Sequence, residues 1–77
     1  MTEENIMALV MVAVRNAVPA HTKVFNFSID FVAPVPETVV PVVKVLHQGR
    51  KTIVLDVSVN DMQEQMVAKA LVTLVNE

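Results

Sequence analysis

Two short clusters of charged residues in this 77-residue chain have side chains that could do chemistry. Glu3 and Glu4 stand directly before a long apolar run. A carboxylate can serve as a general base or a nucleophile, although acids in the first turn of a helix also complement the helix dipole. The second cluster is Arg50 and Lys51, which follow the only glycine, Gly49. Adjacent cations on a turn can bind an anionic group such as a phosphate, or can simply be solvated.

The residue types of the chain disfavour several other kinds of site. The sequence has no cysteine, and neither His21 nor His47 has paired acids at ligand spacing, so we expect no metal site. One glycine cannot build a glycine-rich nucleotide-binding loop or a serine-hydrolase turn, and we expect no cofactor. With a net charge of −2 and scattered cations, the chain offers no basic surface for nucleic acid.

Length and composition predict one folded domain over residues 1–77. Apolar residues make up 53% of the chain and charged residues 18%, the opposite of a disordered composition. A core this small, without disulfides or metal, indicates stabilisation by oligomerisation. The apolar run Ile6–Val14 is about half of the roughly 18 residues that a membrane span needs, and acids rather than basic residues precede it. We therefore expect a cytoplasmic protein without membrane contact.

A helix is predicted over Thr2–Val18. Thr2 is suited to the N-cap position, two acids follow it, and Pro19 ends the segment. The body of this helix is apolar on every face, which is typical of a helix surrounded by protein.

Two strands are predicted after the helix. From Lys23 the apolar residues alternate, which places four large side chains on one buried face: Phe25, Phe27, Ile29 and Phe31. The segment Val39–His47 is apolar on both sides and predicts a strand covered on both faces. Pro41 lacks an N–H group, which indicates a bulge or a sheet edge within this strand.

A turn and two more strands complete the prediction. Gly49 lies where a turn that needs a positive φ would place it. Alternation then resumes over Ile53–Val59, a second turn covers Asn60–Glu64, and a last strand covers Met66–Val75. One face of the last strand carries Met66, Ala68, Ala70, Val72 and Leu74. The sequence therefore predicts an α+β fold, with one buried helix followed by a four-stranded antiparallel sheet.

Three strings, in this order and spacing, resemble the hotdog-fold acyl-CoA thioesterases, in particular the phenylacetate-pathway type: Ser28–Pro34, His47–Thr52 and Met66–Leu74. The resemblance implies a long helix wrapped by an antiparallel sheet, with two chains paired into a dimer that has a continuous sheet. Such proteins normally carry a first strand and a His-Gly-Gly-type loop before the helix, and this sequence contains neither. We interpret the chain either as N-terminally truncated or as a shortened variant whose function has changed.

The resemblance also assigns roles to residues of this chain. An acid near the start of the helix acts on the thioester in such proteins, which points to Glu4, with Glu3 as second choice. An alignment without a loop insertion would instead place Met11 there, and methionine cannot do this chemistry. The region that corresponds to His47, Gly49, Arg50 and Lys51 lies near the phosphates and pantetheine of CoA in these proteins.

The sequence thus predicts a hotdog-like acyl-CoA thioester hydrolase that acts on a small aromatic or medium-chain acyl-CoA. The alternative is a non-catalytic assembly or acyl-binding module of the same fold. In either case we expect a homodimer or homotetramer, because the apolar helix and strands leave more hydrophobic surface than one short chain can cover.

Overall fold

Helix α1 (Glu3–Ala17) begins and ends where the sequence predicts, in a computed structural model that describes residues 1–76. Thr2 is the N-cap, and its Oγ1 accepts a hydrogen bond from the Asn5 backbone N–H at 3.2 Å. Asn5 Oδ1 accepts one from the Thr2 N–H at 2.9 Å and so completes a capping box. Such a cap stabilises a helix by about 1 kcal/mol.

Four strands follow the helix and form one antiparallel sheet. They are β1 (Thr22–Phe31), β2 (Val40–Gln48), β3 (Thr52–Asn60) and β4 (Met66–Asn76). The strand order is β1-β4-β3-β2, so β3 and β4 are interior strands and β1 and β2 are the edges. The predicted helix followed by a four-stranded antiparallel sheet is confirmed.

The core lies between α1 and one face of the sheet. The helix contributes Ile6, Val10 and Val14, which are spaced four residues apart and have no exposed surface. The sheet contributes the inward residues of its two interior strands: Ile53, Leu55, Val57 and Val59 of β3, and Ala68, Ala70, Val72 and Leu74 of β4. The helix packs mainly over β2 and β3. No helix within residues 1–76 is long and apolar enough to span a membrane.

The prediction that Phe25 faces the core is wrong. A β-bulge interrupts the pairing of β1 with β4 between Val24 and Asn26, and the Phe25 side chain is 75% exposed. A bulge inserts one extra residue, which reverses the facing of every residue on one side of it. Val24 therefore takes the place predicted for Phe25, while Phe27 packs against the core as predicted.

The prediction that Met66 shares the buried face of β4 is also wrong. The pairing of β3 with β4 shifts between Val59 and Asn60, so that Asn60 pairs with Met66. Met66 is exposed and the neighbouring Val67 is buried. The alternation predicted for this strand holds only from Ala68 onward.

Strand β2 is not covered on both faces within a single chain, which corrects the prediction for Val39–His47. It pairs only with β3, and its large apolar side chains are about half exposed: Val40, Val42, Val45 and Leu46. The position of Pro41 in an edge strand agrees with the prediction from its missing N–H group.

The helix is likewise covered on one side only. Val12 is 57% exposed and Ala8 is also exposed, although both belong to the apolar body that predicted burial on every side. Within residues 1–76, apolar side chains are therefore uncovered along the β2 edge and on the side of α1 that faces away from the sheet.

Candidate active site

The two predicted acids lie in the first turn of α1. Glu3 and Glu4 are both exposed, and the capping hydrogen bonds are made by Thr2 and Asn5 rather than by the acids. The Asn5 N–H is used by the cap, and the Ile6 N–H donates to the Thr2 carbonyl at 3.1 Å. Both carboxylates thus lie at the positive end of the helix without a capping role, where they remain able to contact a substrate.

The predicted cationic residues lie together in the turn between β2 and β3, here called the basic turn (His47–Thr52). The Gly49 N–H donates to the Thr52 carbonyl at 2.8 Å and closes the turn. The side chains of Arg50 and Lys51 are exposed, and so is that of His47. The turn therefore presents its two cations to solvent from a closed backbone.

Gly49 does not have the positive φ that the sequence predicts. A Cβ atom at this position would lie 3.0 Å from His47 Nε2, which is closer than side chains ordinarily approach. Glycine lets the exposed His47 ring lie against the backbone here, and a larger residue would require that ring to shift. The backbone conformation itself is one that other residues adopt. The only positive φ among non-glycine residues within 1–76 belongs to Glu64, in the turn before β4.

Asn76, at the end of β4, holds the basic turn in place, although its residue type and position do not predict this contact. Its backbone N–H donates to the Lys51 carbonyl at 2.9 Å, and its Nδ2 donates to the Arg50 carbonyl at 2.6 Å. Both acceptors belong to the residues whose side chains carry the positive charge. No local pattern could have revealed this contact, because 26 residues separate Asn76 from Arg50.

The basic turn and the acids lie at opposite ends of the domain. Arg15, in the last turn of α1, donates from Nη1 to the Thr22 carbonyl at 2.8 Å. Thr22 pairs with Asn76, which binds the basic turn, so this turn lies at the carboxyl end of the helix. Glu4 lies about 16 Å from Arg15 along the helix axis. No hydrogen bond or ion pair joins the acids to the basic turn within residues 1–76.

The two histidines do not belong to a metal site among the described residues. His21 and His47 are both exposed, and residues 1–76 contain no group of three metal-ligating side chains. Met11 is half-buried on the helix.

On the outer face of the sheet, Asp56 Oδ2 lies 3.7 Å from Lys69 Nζ, an ion pair between neighbouring strands. Residues 1–76 of a single chain enclose no pocket.

Comparison with known protein families shows which family this chain belongs to. Residues 5–75 match the family model described as the acyl-CoA thioesterase N-terminal domain. The chain belongs to this family. The match covers the helix from Asn5 onward, the basic turn and the four strands as far as Val75, whereas Glu3 and Glu4 precede the matched residues.

Solved structures have the same fold as this thioesterase domain. The E. coli PaaI protein from the phenylacetic acid degradation operon is 22% identical, with a TM-score of 0.86 over 99% of this chain. The smu.793 protein of Streptococcus mutans, bound to acetyl CoA, is 23% identical, with a TM-score of 0.78 over 99% of this chain. BH2602 of Bacillus halodurans, solved with CoA, is 23% identical, with a TM-score of 0.76 over 97% of this chain.

The domain is shorter than these proteins. It spans 59% of the PaaI chain, 65% of the smu.793 chain and 55% of the BH2602 chain. A search of curated protein sequences finds no match to the chain.

Proposed function

We propose that this domain binds an acyl-CoA, with a small aromatic or medium-chain acyl group, and hydrolyses its thioester. The observation that carries the proposal is the family match over residues 5–75, together with the two charged ends of the domain. Exposed Arg50 and Lys51 would bind the phosphates of CoA, because a guanidinium gives phosphate two parallel hydrogen bonds and an ammonium gives it a point charge.

Glu4 is the proposed carboxylate at the thioester. As a general base it would take a proton from water while the water oxygen attacks the carbonyl carbon. The C–S bond then breaks, the acyl group leaves as a carboxylic acid, and the CoA sulfur takes the proton. As a nucleophile, Glu4 would instead form an acyl anhydride and release CoA before water attacks. The backbone N–H groups of Glu3 and Glu4, which the capping hydrogen bonds of Asn5 and Ile6 leave unused, would be suited to stabilise the oxyanion in either route.

Pairing of two chains would bring the two charged ends together. If the β2 edges of two copies pair about a two-fold axis, the strands and helices of one copy run opposite to those of the other. The first turn of α1 in one copy then lies toward the same end of the assembly as the partner's basic turn. The acid of one chain and the cations of its partner would then form one site, although these groups lie at opposite ends of a single chain.

Hydrolysis of acyl-CoAs by this chain is the test of the proposed function. A panel of acetyl-, medium-chain and phenylacetyl-CoA can be followed with a thiol reagent, because the chain has no cysteine to give a background signal. Release of CoA above the buffer control supports the hydrolase. Saturable binding of acyl-CoA without CoA release would favour the non-catalytic acyl-binding module, and neither binding nor release would refute both.

Removal of the charges of the basic turn is expected to weaken CoA binding by about tenfold to a hundredfold, the range for losing hydrogen bonds to a charged group. The variant is Arg50→Ala with Lys51→Ala, and calorimetry at low and high salt measures the affinity. The parent should bind more weakly as salt rises, and the variant should be less sensitive to salt. Lys69→Ala removes a charge from an exposed position on an interior strand, away from both the basic turn and the β2 edge, and serves as the control. Equal affinity and salt dependence in both variants would place the CoA site elsewhere.

The β2 edge is expected to hold two copies together. Val42→Lys with Val45→Lys adds charge to an edge strand whose apolar side chains are half exposed, and charged edges oppose strand pairing. Sedimentation equilibrium should show at least about tenfold weaker association than for the parent. Leu71→Lys adds charge to an exposed position on an interior strand and should leave association unchanged. A parent chain that sediments as a folded species near 8.5 kDa at micromolar concentration would contradict the proposed pairing.

A further inference from the structure

The peptide unit that joins Arg50 to Lys51 has a fixed orientation in the basic turn. Its carbonyl, that of Arg50, accepts a hydrogen bond from Asn76 Nδ2 at 2.6 Å. The next carbonyl, that of Lys51, accepts one from the Asn76 backbone N–H at 2.9 Å. Residues 1–76 contain no cis peptide bond, and in a trans peptide the C=O and N–H bonds point in opposite directions. The Lys51 N–H therefore points away from Asn76.

The Lys51 N–H is a hydrogen-bond donor without an acceptor in its own chain. It lies outside the strands, and within residues 1–76 neither it nor the Arg50 N–H makes a hydrogen bond. The side chains of Arg50 and Lys51 are exposed beside it. Guanidinium, ammonium and backbone N–H groups are the donors that bind phosphate oxygens in proteins. The basic turn thus offers a phosphate one oriented backbone donor in addition to its two cations.

Asparagine at position 76 is unfavourable for the strand that contains it. Asparagine is depleted in strands, and Asn76 Oδ1 is buried without a hydrogen-bond partner within residues 1–76. Reversing the amide would place Oδ1 against the Arg50 carbonyl, and two acceptors repel each other. A residue that is locally unfavourable is expected where function requires it. What the amide gains here is its contact with the basic turn.

The contact acts on a short and exposed part of the backbone. Residues 49–51 connect β2 to β3, and within residues 1–76 three hydrogen bonds hold their backbone. One runs from the Gly49 N–H to the Thr52 carbonyl, and Asn76 donates the other two. Without the side-chain bond, the Arg50–Lys51 peptide can rotate in the free protein. A ligand would then have to order it on binding, which costs conformational entropy.

We propose that Asn76 is a positioning residue for phosphate binding. Its side-chain amide holds the Arg50–Lys51 peptide so that the Lys51 N–H and the two cationic side chains bind one phosphate group of CoA. This inference rests on the proposed function, in which CoA binds at the basic turn. Asn76 itself touches no ligand. It contributes to the affinity for CoA and not to the chemistry at the thioester, which is assigned to Glu4.

Asn76→Leu tests this role, because it removes the amide at similar size and keeps the backbone N–H that binds the Lys51 carbonyl. The affinity for CoA, measured by calorimetry, should fall by about threefold to tenfold, the effect of losing one hydrogen bond. Pantetheine has the thiol and arm of CoA but no phosphate, and its affinity should stay within about twofold of the parent value. In hydrolysis, KM for acyl-CoA should rise by the same factor while kcat is unchanged.

Thr73→Val is the matched control. It also replaces a polar by an apolar side chain on β4, at a half-buried position three residues before Asn76. Its affinities for CoA and pantetheine should both equal those of the parent. Asn76→Ala removes the amide by truncation and should show the same selective loss as Asn76→Leu, so the result does not depend on how leucine packs. Circular dichroism confirms that each variant is folded.

Two outcomes would overturn the positioning role while leaving the proposed function intact. One is equal affinity of Asn76→Leu and Thr73→Val for CoA. The other is an equal loss of affinity for CoA and pantetheine in Asn76→Leu, which would show a general structural effect. A parent chain that binds CoA no more tightly than pantetheine would instead refute the proposed phosphate site itself, and this inference with it. Calorimetry needs no turnover, so these outcomes are separate from that of the hydrolysis assay.

Discussion

Leu55→Ala is expected to lower the free energy of unfolding by about 3 kcal/mol, within the usual range for truncating a buried leucine. Leu55 is fully buried at the centre of β3, opposite Val72 of β4 on one side and Val45 of β2 on the other. Both neighbouring strands limit how far the core can collapse into the cavity. In a domain of this size the total stability is roughly 4–12 kcal/mol, so the variant should lose a large part of it.

Thermal unfolding followed by circular dichroism measures this loss. For a domain of 60–100 residues, about 3 kcal/mol corresponds to a decrease in Tm of roughly 12–24 °C. Leu71→Ala is the matched control, because it removes the same atoms from a side chain that is 45% exposed on the outer face of the sheet. Its Tm should decrease by only a few degrees, about a quarter or less of the decrease expected for Leu55→Ala. If both variants unfolded at the same temperature, the assignment of the core to the helix-facing side would be wrong.

Glu4→Gln is expected to reduce acyl-CoA hydrolysis by about 10² to 10⁴-fold, the usual contribution of a positioned general base. The amide has nearly the same shape as the carboxylate but neither accepts a proton from water nor attacks a carbonyl carbon. Steady-state release of CoA from phenylacetyl- and medium-chain acyl-CoA measures the effect. Affinity for CoA, measured by calorimetry, should be retained if Arg50 and Lys51 provide the phosphate contacts.

Glu3→Gln is the control for this substitution. Glu3 lies in the same helical turn, with the same exposure and the same relation to the helix dipole, but about 100° around the axis from Glu4. Its replacement should reduce hydrolysis by no more than a few-fold. Undiminished activity of Glu4→Gln would exclude Glu4 as the catalytic carboxylate and leave the acids with a purely electrostatic role at the helix start.

The helix could be predicted to within a residue at each end because its signals are local. Thr2 at the N-cap and Pro19 after the last turn each act through contacts within one turn of the chain. The basic turn could likewise be predicted from Gly49 and the two cations that follow it. The positive φ predicted for this glycine is absent, and the His47 ring lies against it instead.

The face of the sheet on which the Phe25 side chain lies could not be predicted, because the alternation of apolar residues does not reveal where a bulge interrupts it. Val24 and Phe25 are both apolar, and the strand could bury either one by shifting the chain by one residue. The pairing of β1 with β4 decides between them, and β2 and β3 separate these two strands in the sequence. The same holds for Met66, whose facing depends on a shift in the pairing of β3 with β4.

The sequence by itself determined the elements, their order and the chemistry available at each end, since caps, turn residues and apolar periods act over a few residues. The tertiary structure alone decided the strand order, the exposure of β2 and of the side of α1 that faces away from the sheet, and the contact of Asn76 with the basic turn. It also placed Glu4 and the basic turn at opposite ends of the domain. These features depend on pairing between distant segments, and the free energy of that pairing comes from the burial of the whole sheet face, which no short stretch of sequence contains.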